Sequence, residues 1–266
     1  MKASIKAFFL LLLFAISCSV VPLTGRKQFI AIPADQMLSL SSESYSQVLK
    51  ETKLSTNQKY ITSVRSVGVN ITSAVEKYLQ LNNLGSNIEG FQWQYNVLVS
   101  DEINAWCMPG GQIAFYEAIM PLCKDDNGIA VVMGHEIAHA VAKHGNERMS
   151  QQLVIQMGGV ALSEALKTQK ETTQELAMLA FGVGSSLGVV LPYSRTHELE
   201  ADEMGLYFMA MAGYDPRTAP AFWERMQASG GTRMPEFLST HPDPDNRIKN
   251  LERIMPKAME YYNKTK

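Results

Sequence analysis

The chain is poor in cysteine and histidine, with three of one and five of the other among 266 residues. Three cysteines cannot build a disulfide-dense scaffold. Five histidines suggest nothing by number alone. Neither sign of charge is in excess: 24 Lys+Arg against 26 Asp+Glu leave a formal net charge of −2. That argues against a nucleic-acid binder, which shows a basic excess or stripe. A mean hydropathy of −0.08 excludes a polytopic membrane protein. Long apolar runs are short or broken. Ala7 to Ile16 is ten residues, too few to span a bilayer as a helix. The run 176–192 is interrupted by Gly182, Gly184 and Gly188 and falls short of about 20 residues. It reads as a buried core helix whose small residues allow close packing. What remains is 46% hydrophobic and 19% charged, enough to form a sizeable core.

Lys2 and Lys6 precede the N-terminal apolar run, which closes with Ala15-Ile16-Ser17-Cys18. A basic stretch, a short apolar stretch and a small residue describe a secretory signal. A small residue directly before Cys resembles a bacterial lipobox, cut before Cys18 so that Cys18 carries lipid. The usual Leu three residues before the Cys is Ala15 here. The alternative is an ordinary cleaved signal followed by an incidental cysteine. Lipid chains tether a protein to a membrane surface without a spanning helix. Ser19, rather than Asp, after the Cys resembles an outer-membrane address facing the periplasm. Residues 1–17 are therefore expected as a signal peptide and 18–33, with Pro22, Gly25 and Pro33, as a lipidated extended leader. Residues 34–266 are expected as one domain. In an oxidising compartment Cys107 and Cys123 could pair; two separate buried thiols is the preferred reading.

Ser55 is a candidate N-cap for a helix running to about Leu81, where apolar residues from Ile61 to Leu79 recur at roughly helical spacing. Phe91 to Ser100 alternates apolar and polar residues and reads as a half-buried strand. Pro109-Gly110-Gly111 is a turn, and Gln112 to Tyr116 a second strand. From Asp125 onward the pattern is nearly all helical. The fold class is α+β, a small sheet followed by a mostly helical body.

His135-Glu136-Ile137-Ala138-His139 is an H-E-x-x-H motif. Asp125, Asp126 and Asn127 offer an N-cap, and Gly145 a stop. Histidines at i and i+4 share one helix face, so both imidazoles can reach one Zn²⁺. Glu136 sits where a carboxylate touches metal-bound water without binding metal. The flanks are apolar and small, and a charged triplet in such a helix is costly without partners. A catalytic zinc takes three protein ligands and keeps one open position. The third comes from His197, Glu198 or Glu200. The face of Glu198 continues through Ala201, Asp202, Gly205, Phe208 and Ala212, a stripe otherwise small or apolar. Glu198 is preferred as ligand, and Asp202 is placed to orient a ligand imidazole through its other ring N–H. Glu200 falls off the stripe and is expected in solvent, His197 on the surface. His144 is expected at the helix C-terminus, facing the dipole.

At this point the chain resembles a family. H-E-I-A-H followed by Ser194-Arg195-x-x-Glu198-x-x-Ala201-Asp202 is similar to the gluzincin metallopeptidases of the CAAX prenyl protease and HtpX type, metallopeptidase family forty-eight. Asn104-Ala105 with Pro109-Gly110-Gly111, Thr240-His241-Pro242 with Arg247-Ile248, and the leader Val21-Pro22-Leu23-Thr24-Gly25-Arg26 resemble its further elements, the leader those of its periplasmic lipoproteins. The resemblance implies a zincin-like metalloprotease domain with one Zn²⁺ per chain on His135, His139 and Glu198. It implies Glu136 as general base and Asp202 behind the ligands. His241 would stabilise the oxyanion or cap the zinc at rest, and Arg247 would support that loop. The strand at Asn104 and Ala105 would pair with a bound peptide. Implied partners are protein or peptide substrates, a membrane through lipid on Cys18, and the envelope assembly machinery, with no nucleic acid. Two other readings stay open: a chaperone-like zinc-binding lipoprotein with little or no proteolysis, and a zinc hydrolase of short or non-peptide substrates.

Overall fold

A small sheet precedes a helical body in the computed structural model, as the α+β reading expects. The structure describes residues 18–229, 236–241 and 244–266. The expected signal peptide, 1–17, and Pro242 lie outside the described residues. The leader is not merely extended. Its strands β1 (Cys18–Val20) and β2 (Lys27–Phe29) form an antiparallel hairpin.

Helix α1 (Ala34–Glu51) follows, burying Met37, Ser41 and Tyr45 one turn apart. Helix α2 (Gln58–Leu81) is capped by Asn57, whose side chain accepts from the Tyr60 N–H, rather than by Ser55. The Ser55 hydroxyl bonds Glu117 and the Asn57 N–H instead. The apolar period holds: Val64, Val67, Ile71, Val75 and Leu79 are buried on one face.

Strands β3 (Gln94–Leu98), β4 (Ala105–Met108) and β5 (Gln112–Tyr116) form a sheet of order β3-β5-β4. β3 runs parallel to β5 and β4 antiparallel to it, so β4 is an edge. The β4–β5 turn needs Gly110 and Gly111, whose φ values are +104° and +90°, a region that costs residues with a Cβ.

A helical turn, α3 (Met120–Cys123), leads into α4 (Asp126–Val141), where the Asp125 side chain accepts from the Gly128 N–H. Helix α4 is buried almost all round, as expected of an apolar helix at a core centre. It packs on α7 (Leu191–Met211), with α2 against it and α10 (Pro244–Asn263) against α7. The α4–α7 approach depends on two glycines. A Cβ on Gly134 would lie 2.6 Å from the Gly205 carbonyl oxygen, and one on Gly205 2.7 Å from the His135 nitrogen. Helices α8 (Ala219–Ala228) and α9 (Glu236–Thr240) close the body. Cys107 and Cys123 are free thiols, as preferred.

Two further expectations fail. Helix α4 does not run to Gly145. It ends at Val141, the chain reverses through Lys143 at φ +58°, and His144 opens α5 (His144–Leu166). The run 176–192 is not a core helix. It lies in α6 (Glu171–Ser185) and the π-helical turn 186–190 leading into α7. Leu176, Leu179, Val183, Leu187 and Leu191 are exposed, as are Leu153, Val154, Met157 and Val160 of α5. Helices α5 and α6 pack on each other, with Phe181 against Gly158. The hydrophobic core is filled by α2, α4 and the later part of α7, and no residue of the run belongs to it. The helical span Glu171–Met211 is long and apolar enough to cross a membrane, by length and composition.

Candidate metal centre

Helical periodicity stacks His135 and His139 on one face of α4, and α7 brings Glu198 against them across the glycine contact. The two Nε2 atoms lie 3.1 Å apart. Glu198 Oε2 is 3.4 Å from His135 Nε2, and its Oε1 is 3.4 Å from His139 Nε2. His241, just after α9, places Nδ1 3.2 Å from His135 Nε2 and 3.1 Å from Glu198 Oε2. All four donor atoms lie within 4.8 Å of one another. Tetrahedral ligands about 2.0–2.1 Å from one ion sit roughly 3.3 Å apart. The observed spacings match, and three imidazoles with one carboxylate are a zinc donor set. The residues fit the metal.

Asp202 and Arg247 hold this set from behind. His135 Nδ1 is 2.9 Å from Asp202 Oδ1. Buried Arg247 donates from Nε to Asp202 Oδ2 and from Nη2 to Glu198 Oε2, each at 2.7 Å. Its guanidinium lies 3.9 Å from the centroid of the Trp223 ring. Burial pushes Glu198 up, but His139, His135 and His241 outweigh it and hold the carboxylate well below its usual range. Burial pushes His135 down, but hydrogen bonds to Asp202 and Glu198 carry it up to about 9. His139 has less such support, and burial drives it well below its ordinary value. Glu136 does not join the donor set. Its Oε1 is buried with no hydrogen-bond partner among the described residues, 3.6 Å from His241 Nε2. Burial raises its pKa.

The edge strand lies beside this centre. Trp106, Met108, Met37 and Leu40 join Glu136 and His139 in lining a cleft of about 560 Å³. Asn104 accepts at its carbonyl from the Tyr116 N–H and at its side chain from the Ala105 N–H. Ala105 pairs with Phe115, and among the described residues no strand pairs with the opposite edge of β4.

Three residues were misplaced by sequence reasoning. His144 is fully buried, with Nδ1 2.9 Å from His139 Nδ1 and Nε2 2.9 Å from Glu200 Oε2. Glu200 is buried rather than solvated and accepts from Arg26 Nε at 2.8 Å. His197 is also buried, its Nε2 2.8 Å from Glu147 Oε2. The missed partner is Arg26, which also donates from Nη1 and Nη2 to Glu147 at 3.0 and 2.7 Å. Buried acids need a cation, and the only sequence signal for it was an arginine in the leader turn.

Two helix-borne histidines and a glutamate from a second helix, with the Glu136 carboxylate beside them and outside the donor set, define a zinc metallopeptidase of the gluzincin class. The chain belongs to peptidase family M48, whose sequence profile matches residues 70–255. It is 28% identical over 240 residues to the mitochondrial metalloendopeptidase OMA1 of Schizosaccharomyces pombe, covering 90% of this chain and 66% of that protein. It is 30% identical over 253 residues to OMA1 of Saccharomyces cerevisiae, covering 91% and 70%. The beta-barrel assembly-enhancing protease of Escherichia coli is 29% identical over 160 residues, covering 59% of this chain and 33% of that one. The chain thus spans about two thirds of the two yeast relatives and a third of the bacterial one.

Proposed function

We propose that the chain is a zinc-dependent endopeptidase acting on proteins of the cell envelope. The observation that carries this is the pairing of a donor set, His135, His139 and Glu198, with a buried Glu136 oxygen that has no hydrogen-bond partner among the described residues. Zinc supplies there an acidified water and a polarised scissile carbonyl. Glu136 Oε1 would take that water's proton and pass it to the leaving amine; burial raises its pKa. The edge of β4, from Asn104 and Ala105, pairs with the backbone of an extended peptide laid in the cleft. Asp202 fixes the His135 ring and Arg247 fixes Glu198. His241 Nδ1 lies as near the ligand atoms as they lie to each other. That favours His241 as a residue that would hold the metal as a fourth donor at rest; when not so engaged, its ring N–H would stabilise the oxyanion.

The bacterial relative's role in beta-barrel assembly supports envelope substrates, misfolded outer-membrane proteins among them. Lipid on Cys18 anchors the protein to the outer membrane on the periplasmic side, and the exposed apolar α5–α6 hairpin lies against the bilayer. No charged residue falls between Glu175 and Arg195.

The test is casein hydrolysis by the zinc-loaded protein. Wild type should cleave casein, and Glu136→Gln should keep its zinc and lose about 10²- to 10⁴-fold in rate. Equal inactivity of both on several unfolded substrates would favour the chaperone-like reading.

A further inference from the structure

Beside the metal centre lies a second polar cluster, in which buried Glu147, His197, Glu200 and His144 meet the partly exposed Arg26. It is assembled by parts of the chain far apart in sequence. The β1–β2 hairpin contributes Arg26, α5 contributes His144 and Glu147, and α7 contributes His197 and Glu200. The hairpin turn is itself fixed, with the Val21 N–H donating to the Arg26 carbonyl and the Gly25 N–H to the Val21 carbonyl. From this turn Arg26 grips Glu147 with two nitrogens and Glu200 with a third. The Thr24 hydroxyl donates to the other Glu200 oxygen.

The hydrogen-bond directions follow from one group. An ionised carboxylate only accepts, so His144 Nε2 donates to Glu200 Oε2. A neutral imidazole then presents a lone pair at Nδ1. That lone pair accepts from His139 Nδ1–H, which leaves the His139 Nε2 lone pair facing the donor set. His135 is oriented by a carboxylate directly, through Asp202. His139 is oriented by a carboxylate at one remove, through a second imidazole.

We infer that Arg26, acting through Glu200 and His144, is a positioning residue for the metal ligand His139, so that docking of the leader hairpin sets the zinc affinity of the centre. This rests on the ligand set proposed above. A purely structural cluster would support the fold and leave metal affinity unchanged. The relay instead fixes the tautomer and tilt of one ligand ring. Partners of this kind are worth about 10- to 100-fold in metal affinity.

The experiment is zinc competition against a chromophoric chelator, with visible spectra of the Co²⁺-substituted protein, on the full chain. Arg26→Ala and His144→Leu should each weaken zinc binding by about 10- to 100-fold and shift the cobalt ligand-field bands. His144→Gln, which keeps one acceptor and one donor, should recover part of both. Arg26→Ala is the safer variant for folding, because the Arg26 side chain is 20% exposed at the surface. Folded variants with wild-type zinc affinity and cobalt spectra would overturn the inference while leaving the ligand set intact. A wild-type protein that binds no zinc would overturn the ligand set first and this inference with it.

Discussion

The glycine contact between α4 and α7 gives the sharpest test of how the fold builds the site. Consider Gly205→Ala. The added methyl would meet the His135 nitrogen at 2.7 Å and the Gly134 carbonyl carbon and the His135 Cα at 2.8 Å. All three are backbone atoms of a buried helix, so no flexible side chain can yield. Ordinary contact begins at 3.4 Å, so the helices must separate by about 0.7 Å. Overpacking of this size costs about 1–3 kcal/mol. The separation also acts on the chemistry. It moves His135 and His139 on one helix away from Glu198 and Asp202 on the other, and misplacement near 1 Å can cost about 10²-fold in rate. Thermal unfolding of the metal-free protein, zinc competition and casein hydrolysis should therefore all worsen together. Gly182→Ala is the control. It lies in a helix with nothing within 4 Å of the added methyl, and should be neutral or stabilising by about 0.4–1 kcal/mol. If Gly205→Ala matched wild type in stability, zinc affinity and rate, the close approach would not be what sets the site.

Two further outcomes are expected. Arg247→Met removes the buried cation between Glu198 and Asp202 and should destabilise the metal-free protein by about 3–5 kcal/mol. Bound zinc would supply positive charge to the same Glu198 carboxylate, so its addition should raise the melting temperature more in the variant than in wild type; an equal rise would refute this. Acid stability should depend on Glu147. Burial pushes its pKa up, but hydrogen bonds from His197 and Arg26 outweigh burial and hold it down at about 2. A depressed carboxylate contributes stability above its ordinary value near 4.5, and loses it as pH falls toward about 2. Arg26→Ala should move the acid-unfolding midpoint of the metal-free protein upward, read by circular dichroism; an unmoved midpoint would count against the ion pair.

Much of the centre was legible because its geometry is periodic. His135 and His139 are one turn apart whatever surrounds them, and the small, apolar stripe through Ala201, Gly205 and Phe208 announced that Glu198 and Asp202 face inward. The strand Gln112–Tyr116 was legible as the short run after the Pro109-Gly110-Gly111 turn. His144, His197 and Glu200 were not. A polar residue on a helix is expected in solvent unless a partner is known; His144 and His197 bond Glu200 and Glu147, and Arg26, which pairs with both acids, sits 118 residues before His144 in sequence. Helix α1 was missed although it buries Met37, Ser41 and Tyr45, since Ser41 breaks the apolar period from which a helix is read. The run 176–192 shows the opposite limit. Composition says that it avoids water but not what covers it.

The scarce histidines state the division most plainly. Sequence by itself determined that His135 and His139 share a helix face with a carboxylate between them, because 3.6 residues per turn fixes side-chain direction locally. It also determined the inward face of α7, because an apolar stripe must be buried. Only the tertiary structure decided what the other three histidines do. The Gly134–Gly205 contact sets the depth at which α7 meets α4. The reversal at Lys143 turns His144 back onto His139. His197 finds Glu147, and His241 reaches the ligands after a further forty-odd residues. Those placements depend on contacts between distant segments, and no local period encodes them.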